Sequence, residues 1–326
     1  MKLRVLTVFL FLSGTAEVSA QATATPVPTP SLSCCLLAGA WTSPTLSSAA
    51  GVAVDQSRKR IYATDGISGK IFALNYDGSP VTSFGGGFVS LAAVFDVTVG
   101  KGPYDGVYAV SRNGSVAAAV TKFDANGNVV WTAPGSWSPG TERTLCVDDW
   151  GNVYVADDSK IYVFNSNGIA KPSITGSGSL GPLSNPTGLW MAGLNLYVSD
   201  TSNNRVVRFV ETGVNTYAYA EDKAFTLSLF PGAQPYGIAE DLTGHFYIAS
   251  GNGYAVFDEN FKELTQWCYL SPLSGAFGIG VDETGAIYVV GSASKTVTKM
   301  EACFSQSLPA YHGFNPPDSG ECFIYP

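Results

Sequence analysis

The segment Asn195-Leu-Tyr-Val-Ser-Asp200 has the alternating apolar pattern of a short strand, and the chain repeats that pattern at five other places. The six copies are RIYATD (60–65), GVYAVS (106–111), NVYVAD (152–157), NLYVSD (195–200), HFYIAS (245–250) and AIYVVG (286–291). Their shared tyrosines follow one another at intervals of 46, 46, 43, 50 and 41 residues. Units of about this length with several short strands are typical of β-propeller blades, so six copies predict six blades.

Further strands flank each copy. The apolar segments before the copies are GVAVD (51–55), DVTVG (96–100), TLCVD (144–148), GLWMA (188–192), GIAED (237–241) and GIGVD (278–282). The strands after them end in Leu74, Phe123, Phe164, Phe209, Phe257 and Met300. Hairpin turns at 76–78, 126–127 and 167–168 then introduce a fourth strand, which we place at about 81–85 in the first unit. The pattern predicts an all-β fold, a six-bladed β-propeller of four-stranded antiparallel blades.

The units resemble NHL repeats over about residues 34–303. The fourth unit shows this best, with Asn185-Pro-Thr-Gly188 before its second strand and Asn203-Asn204-Arg205 after it. The resemblance implies a six-bladed fold. Because NHL proteins include protein-binding and RNA-binding modules, and related propellers include metal-dependent lyases and lactone hydrolases, it leaves the function open.

The last unit lacks a fourth strand, since its third strand ends near Cys303, whereas the first unit already has four. An open edge of this kind is usually covered in propellers. We expect the apolar segment 36–41 to supply the missing strand, which makes 34–303 the propeller and 304–326 a C-terminal tail.

The cysteines fit this closure. Cys34 and Cys35 begin the expected donor strand, and one of them can pair with Cys303 at the same end of the neighbouring strand. The other can bond Cys322 and so hold the tail, and a direct bond between Cys34 and Cys35 is the less favoured alternative. Cys146 occupies an innermost-strand position where other units have alanine, so we expect a small buried thiol.

The N terminus has the basic, apolar and small-residue regions of a secretory signal over residues 1–20, followed by a Thr/Pro-rich spacer at 21–33. We expect a secreted or extracytoplasmic, monomeric protein. Its net charge is −8 and its 18 basic residues are scattered, which argues against nucleic acid as a partner. After residue 20, no apolar run approaches the roughly 20 residues that a membrane span needs.

Catalytic residues are scarce. The only histidines, His245 and His312, are too few for a typical catalytic zinc site, and we expect both at the surface. Three aspartates open turns before the shared tyrosines and should be structural. They are Asp148, Asp241 and Asp282.

A second aspartate set, Asp65, Asp157 and Asp200, follows the second strands. A calcium site needs six to eight oxygen ligands, and serine or glycine interrupts this set in the other three units. We expect these side chains to be solvated loop carboxylates near the channel mouth and the protein to have no cofactor, with Ca²⁺ as the alternative.

Six residues immediately before the innermost strands should surround the mouth of the central channel on the same face. They are Ala50, Phe95, Arg143, Thr187, Tyr236 and Phe277. With the nearby aspartates, three aromatic rings and one arginine could hold a peptide or glycan by stacking and bidentate hydrogen bonds. The alternative is that the aromatics fill the channel as core.

These observations favour a secreted or surface-associated binding or scaffold propeller whose loop face binds a protein, peptide or glycan. The alternative is a metal-dependent hydrolase or lyase, lactonase-like or lyase-like, built on the six-bladed fold. The missing histidine cluster and incomplete carboxylate set make catalysis the less favoured interpretation.

Overall fold

The structure, a computed structural model, describes residues 46–113, 117–135, 144–176, 178–226, 234–251, 253–264, 268–269, 275–291 and 295–301. The expected signal, spacer, donor strand, tail and the cysteines at 34, 35, 303 and 322 lie outside these ranges. Within them the chain forms six antiparallel sheets, and the predicted six-bladed β-propeller is confirmed. In these parts of the chain, no helix is long and apolar enough to cross a membrane.

The strands follow the repeat. Blade 1 contains β1 (Ala49–Asp55), β2 (Arg60–Asp65), β3 (Lys70–Asn75) and β4 (Phe88–Ser90). Blade 2 contains β5 (Ala93–Gly100), β6 (Gly106–Asn113), β7 (Ala117–Phe123) and β8 (Val129–Gly135). Blade 3 contains β9 (Leu145–Val147), β10 (Val153–Ala156), β11 (Lys160–Phe164) and β12 (Ala170–Thr175).

Blade 4 contains β13 (Pro186–Ala192), β14 (Asn195–Asp200), β15 (Arg205–Glu211) and β16 (Tyr219–Thr226). Blade 5 contains β17 (Ile238–Glu240), β18 (Phe246–Ser250), β19 (Gly253–Phe257) and β20 (Cys268–Tyr269). Blade 6 contains β21 (Ala276–Val281), β22 (Ala286–Gly291) and β23 (Thr296–Glu301), the three strands that the described residues supply. Short 3₁₀ turns lie at Gly102–Tyr104 and Thr201–Asn203.

The core lies between blades. Six clusters of buried apolar side chains each join two neighbouring blades, and one of them joins blade 6 to blade 1 through Leu46, Ala63, Tyr288 and Val297. The middle strands are therefore covered on both faces, which explains their nearly continuous apolar sequences. Cys146 belongs to one cluster and is a buried free thiol, as predicted.

The shared tyrosines are buried, and those of blades 3, 5 and 6 hold the turn that precedes them. Tyr154 Oη donates to Asp148 Oδ2 at 2.9 Å, and the same bond joins the tyrosines and aspartates of blades 5 and 6 at 3.1 and 2.8 Å. The other carboxylate oxygen of each aspartate accepts backbone N–H groups two and four residues later. The predicted structural role of Asp148, Asp241 and Asp282 is confirmed.

The fourth strand of blade 1 begins later than predicted. Residues 82–86 form turns, and β4 occupies Phe88–Ser90. Phe84 is fully buried with its ring centroid 5.1 Å from that of Tyr62, which draws this segment into the core. Gly85, Gly86 and Gly87 then take positive φ angles that return the chain to the sheet. This glycine triplet therefore lies inside blade 1, between β3 and β4.

The first described residue lies at the edge of blade 6. Leu46 is buried, and its N–H donates to the carbonyl of Lys295 at 3.0 Å, just before β23. Leu91, which follows β4, makes the corresponding bond to the Gly69 carbonyl just before β3. The chain thus approaches β1 as it would after an outer strand of blade 6, although closure by residues 36–41 stays a prediction.

Candidate functional site

A cavity of about 780 Å³ runs along the propeller axis and is lined by innermost strands of all six blades. We call the end at which these strands begin the upper mouth and the opposite end the lower mouth. Between the mouths the wall is largely apolar, with side chains such as Val54, Val99, Leu189 and Val281. A cavity of this size and character is typical of small-ligand sites.

The predicted ring lies at the upper mouth. Ala50, Phe95, Thr187 and Phe277 line the cavity, and each occupies a register shift at the beginning of its strand. Such bulges redirect side chains. Tyr236 lies against Phe277 with ring centroids 4.6 Å apart and planes inclined by 60°. All five residues are partly exposed, although Tyr236 is not among the residues that line the cavity and Phe95 also packs against the core between blades 2 and 3. The remaining predicted member, Arg143, lies outside the described residues.

The carboxylates near this mouth are not solvated, contrary to our expectation. Asp65, Asp157 and Asp200 are at most 9% exposed. Asp65 accepts the N–H groups of Ser47 and Ser48 at 2.8 and 3.0 Å, which fixes the linker entering β1. Burial raises the pKa of Asp65, but these and further hydrogen bonds outweigh burial and hold the pKa below its usual value.

Asp200 likewise holds the linker that enters blade 4. It accepts the Ser184 N–H at 2.7 Å and the Arg205 Nε–H at 2.6 Å. Arg205 also donates to the carbonyls of Leu180 and Pro182 in the linker from blade 3. Asp65 and Asp200 are thus engaged in holding linkers, since their oxygens accept the backbone N–H groups of those linkers.

The sequence interpretation missed Asp96, which lies in the wall of the upper mouth. The first residues of the innermost-strand segments are Gly51, Asp96, Thr144, Gly188, Gly237 and Gly278. Glycine suits this position because the blades converge there, and a Cβ at Gly188 would lie 1.9 Å from the Tyr236 carbonyl oxygen. Asp96 can occupy this position because its neighbour in blade 1 is a glycine. A Cβ on Gly51 would lie only 2.0 Å from Asp96 Oδ1.

Asp96 also bridges blades 2 and 3. Its Oδ2 accepts the Thr144 hydroxyl at 2.9 Å and the Leu145 N–H at 3.1 Å, and Oδ1 accepts the Val97 N–H at 2.8 Å. Burial is nevertheless the dominant influence and raises the pKa of Asp96 to about 7. The upper mouth therefore contains a carboxyl group that changes charge near neutral pH.

Arg112 is a second residue that the sequence interpretation missed. It lies at the upper end of β6, with its guanidinium 5.8 Å from the centre of the Phe95 ring. Within the described residues, its buried Nε makes no hydrogen bond. Arg112 does not line the cavity and its unpaired Nε is buried, so only the exposed part of its guanidinium is placed to meet a ligand at the mouth. The one sequence signal that could have identified Arg112 is its place near the end of a second strand, where the other units have no arginine.

The lower mouth has different chemistry. Glu240 accepts the Trp190 indole N–H at 2.8 Å, and burial raises the pKa of Glu240. Beside it, Asp241 lies 3.2 Å from His245 Nδ1. The His245 side chain is only 12% exposed, so our expectation of a surface histidine is wrong. The other histidine, at position 312, lies outside the described residues.

Comparison with known proteins supports the fold and leaves the family open. No protein-family model matches the chain, and no curated protein matches it in sequence. A gluconolactonase from Xanthomonas campestris superposes with a TM-score of 0.58 and 17% identity, covering 78% of this chain and 86% of that one. A calcium-binding regucalcin from Agrobacterium tumefaciens gives 0.59 and 13%, covering 82% and 93%.

A virginiamycin B lyase from Staphylococcus aureus gives a TM-score of 0.53 and 14% identity, covering 77% of this chain and 80% of that one. The protein is thus a six-bladed β-propeller whose fold is similar to the folds of these three proteins. At these identities the similarity concerns the fold, because one propeller backbone can support unrelated sites. The NHL resemblance of the repeats stays a prediction.

Proposed function

We propose that this protein is a secreted or surface-associated binding propeller of the NHL type, which holds a peptide or glycan at the upper mouth. One observation carries the proposal: bulges direct Phe95, Thr187 and Phe277 into the rim of an open cavity of about 780 Å³. Partly exposed aromatic rings around a concave opening are a common basis for ligand binding.

Polar groups at the rim could orient a bound ligand. Arg112 has hydrogen-bonding capacity beside Phe95, and Thr187 is fixed by an Oγ1 to Oγ1 contact of 2.5 Å with Thr201. Thr201 in turn donates to the Pro235 carbonyl at 2.7 Å. The rim thus combines stacking surfaces with a guanidinium donor at Arg112 and a fixed hydroxyl acceptor at Thr187, whose own proton is donated to Thr201.

The proposal involves no metal. Among the described residues, no group of three or more His, Cys, Asp or Glu side chains is placed to hold an ion together. Asp65 and Asp200, which the sequence offered as possible ligands, hold linkers instead. The metal-dependent hydrolase or lyase therefore receives no positive support from the geometry of the described residues.

The test is a binding screen of the mature protein on peptide and glycan arrays, followed by titration of the best ligand against variants. Phe95→Ala and Tyr236→Ala should each weaken binding by roughly 2 to 4 kcal/mol, as expected for central aromatic contacts. Val130→Ala is the matched control, because Val130 is 55% exposed on an outer strand far along the sheet from the channel.

Thermal melting distinguishes binding from packing. If the rings serve as core, the aromatic truncations should cost about 3 to 5 kcal/mol of folding stability instead. Arg112→Ala and Arg143→Ala extend the test to the polar groups. Unchanged affinity in all four variants would refute the upper mouth as the binding site.

A further inference from the structure

Exposed apolar side chains are concentrated on the lower face of the propeller, the face that surrounds the lower mouth. Seven large apolar side chains are exposed in the described parts of the chain, and five of them lie at the lower ends of their blades. These five are Val129, Val130, Ile169, Val214 and Leu242. A single exposed apolar residue is ordinary, but a concentration of them on one face is typical of a contact surface.

The lower mouth is the concave part of this face. Leu242, in the turn between β17 and β18, is 70% exposed and lines the cavity. Val147, Trp190 and Met191, from blades 3 and 4, line the same end of the cavity and are partly exposed. An apolar opening of this kind suits a large side chain that enters from the lower face.

The chain that follows β23 starts at this face. Glu301 ends β23 and pairs with Ala286, which follows the lower turn of blade 6. The strand β23 is two strands away from the innermost strand β21, which is about 10 Å at the usual spacing of strands. Ten extended residues span up to about 33 Å, so residues near position 311 can reach the lower mouth.

The sequence of this segment suits the lower mouth. Residues 302–317 contain no Asp, Glu, Lys or Arg, and they supply four large apolar or aromatic side chains. These are Phe304, Leu308, Tyr311 and Phe314. Acidic side chains line the lower part of the cavity, namely Asp55, Asp105, Glu240 and Asp241. An uncharged segment avoids repulsion from these carboxylates.

We propose that residues 302–317 fold back across the lower face and place the rings of Tyr311 and Phe314 in the lower mouth, against Met191 and Leu242. The Tyr311 hydroxyl stays at the polar rim, because a tyrosine has an apolar body and a polar tip. A tethered segment within reach has a local concentration on the order of millimolar, which favours it over a separate partner. The channel then opens only at the upper mouth.

Photocrosslinking of the mature full-length protein tests where the segment lies. The probe p-benzoyl-phenylalanine replaces Leu242, and mass spectrometry identifies the crosslinked peptide. Most crosslinks should join position 242 to peptides within 302–317 of the same molecule. Position 67 is the matched control, because Ile67 is 73% exposed but lies between β2 and β3 at the upper end of blade 1. The probe at position 67 should give no crosslink to 302–317.

Methionine oxidation tests whether the rings cover the lower mouth. Met191 lines the cavity and is partly exposed in the described structure, whereas Met300 is 1% exposed. In dilute hydrogen peroxide, Met191 should be oxidised severalfold faster in the double variant Tyr311→Ser, Phe314→Ser than in the wild type. Met300 should be oxidised slowly in both proteins, since it reports on the folded core.

A second double variant, Phe323→Ser with Tyr325→Ser, is the matched control for oxidation. It loses the same two types of side chain outside 302–317, so its Met191 should be oxidised at the wild-type rate. Equal oxidation of Met191 in the wild type and both double variants would refute the placement of the rings. If Met300 is oxidised faster in the first double variant, that variant has lost its fold, and the wild-type crosslinks decide the question.

The crosslinks also distinguish the other occupants of the lower mouth. Crosslinks from position 242 to a second molecule would refute the proposal in favour of a contact between copies of the chain. Crosslinks to the spacer 21–33, or none to 302–317, would refute it in favour of another covering segment or an open mouth. These measurements do not involve the ligand of the upper mouth, so their failure leaves the proposed binding function intact.

Discussion

The tyrosine hydroxyls give a quantitative test of what holds the blades together. Tyr288 is fully buried, and its hydroxyl donates at 2.8 Å to Asp282, which is 1% exposed. In Tyr288→Phe, the Oδ2 of Asp282 loses this donor within a buried site. Loss of a buried hydrogen bond to a charged group costs about 1.5 to 3 kcal/mol. For a chain of this size the melting temperature should fall by roughly 5 °C.

Tyr62→Phe is the matched control. Tyr62 occupies the same position of the repeat and is equally buried, but within the described residues its hydroxyl makes no bond to an aspartate, and the polar group that acts on it is the Arg60 side chain. Removing it should leave stability within about 0.5 kcal/mol of wild type or raise it. Urea unfolding followed by tryptophan fluorescence measures both variants. Equal changes in stability for Tyr62→Phe and Tyr288→Phe would refute the contribution that we assign to the hydroxyl bond with Asp282.

Three further predictions concern closure, cross-linking and pH. Deleting 34–41 should lower the melting temperature because blade 6 loses its outer strand, whereas deleting 21–33 should not, and equal melting of the two truncations would contradict closure. Reduction should destabilise the protein by on the order of 5 kcal/mol if Cys303 closes a loop of about 270 residues, and peptide mapping that finds Cys303 as a free thiol would exclude the bond. Because the pKa of Asp96 is raised to about 7, its contribution to stability is complete below about pH 4 and is lost as pH rises through 7. The free energy of unfolding of Asp96→Asn should therefore rise by up to about 4 kcal/mol relative to that of the wild type between pH 4 and pH 8. Urea midpoints of the two proteins that change in parallel over this pH range would contradict this prediction.

The architecture could be predicted because its signals are local and repeated. Each blade packs on its neighbours through the same positions, so the shared tyrosines and the third-strand residues recur at one place in every unit. The hairpin glycines at 127 and 168 take positive φ angles, as two-residue turns require. In contrast, the position of β4 depends on the burial of Phe84 against Tyr62, which the local pattern does not contain.

The location of the upper mouth followed from the sequence, since residues that begin equivalent strands must encircle the axis together. The sequence alone determined the number of blades, the first three strands of each blade, the structural aspartates of the turns and the aromatic content of the mouth. These follow from periodicity, alternation and turn chemistry, which act over a few residues.

Only the tertiary structure decided which charged groups are available at the mouth. Asp65 and Asp200 look alike and exposed in sequence, but linkers from the chain before each blade cover them and use their oxygens. Nothing in the sequence distinguishes Asp96 from the other acidic residues. The structure shows that Gly51 of the adjoining blade leaves space for its carboxylate. Burial and electrostatic compensation are set by partners about 45 residues away, so the charge of a blade residue depends on the neighbouring blade.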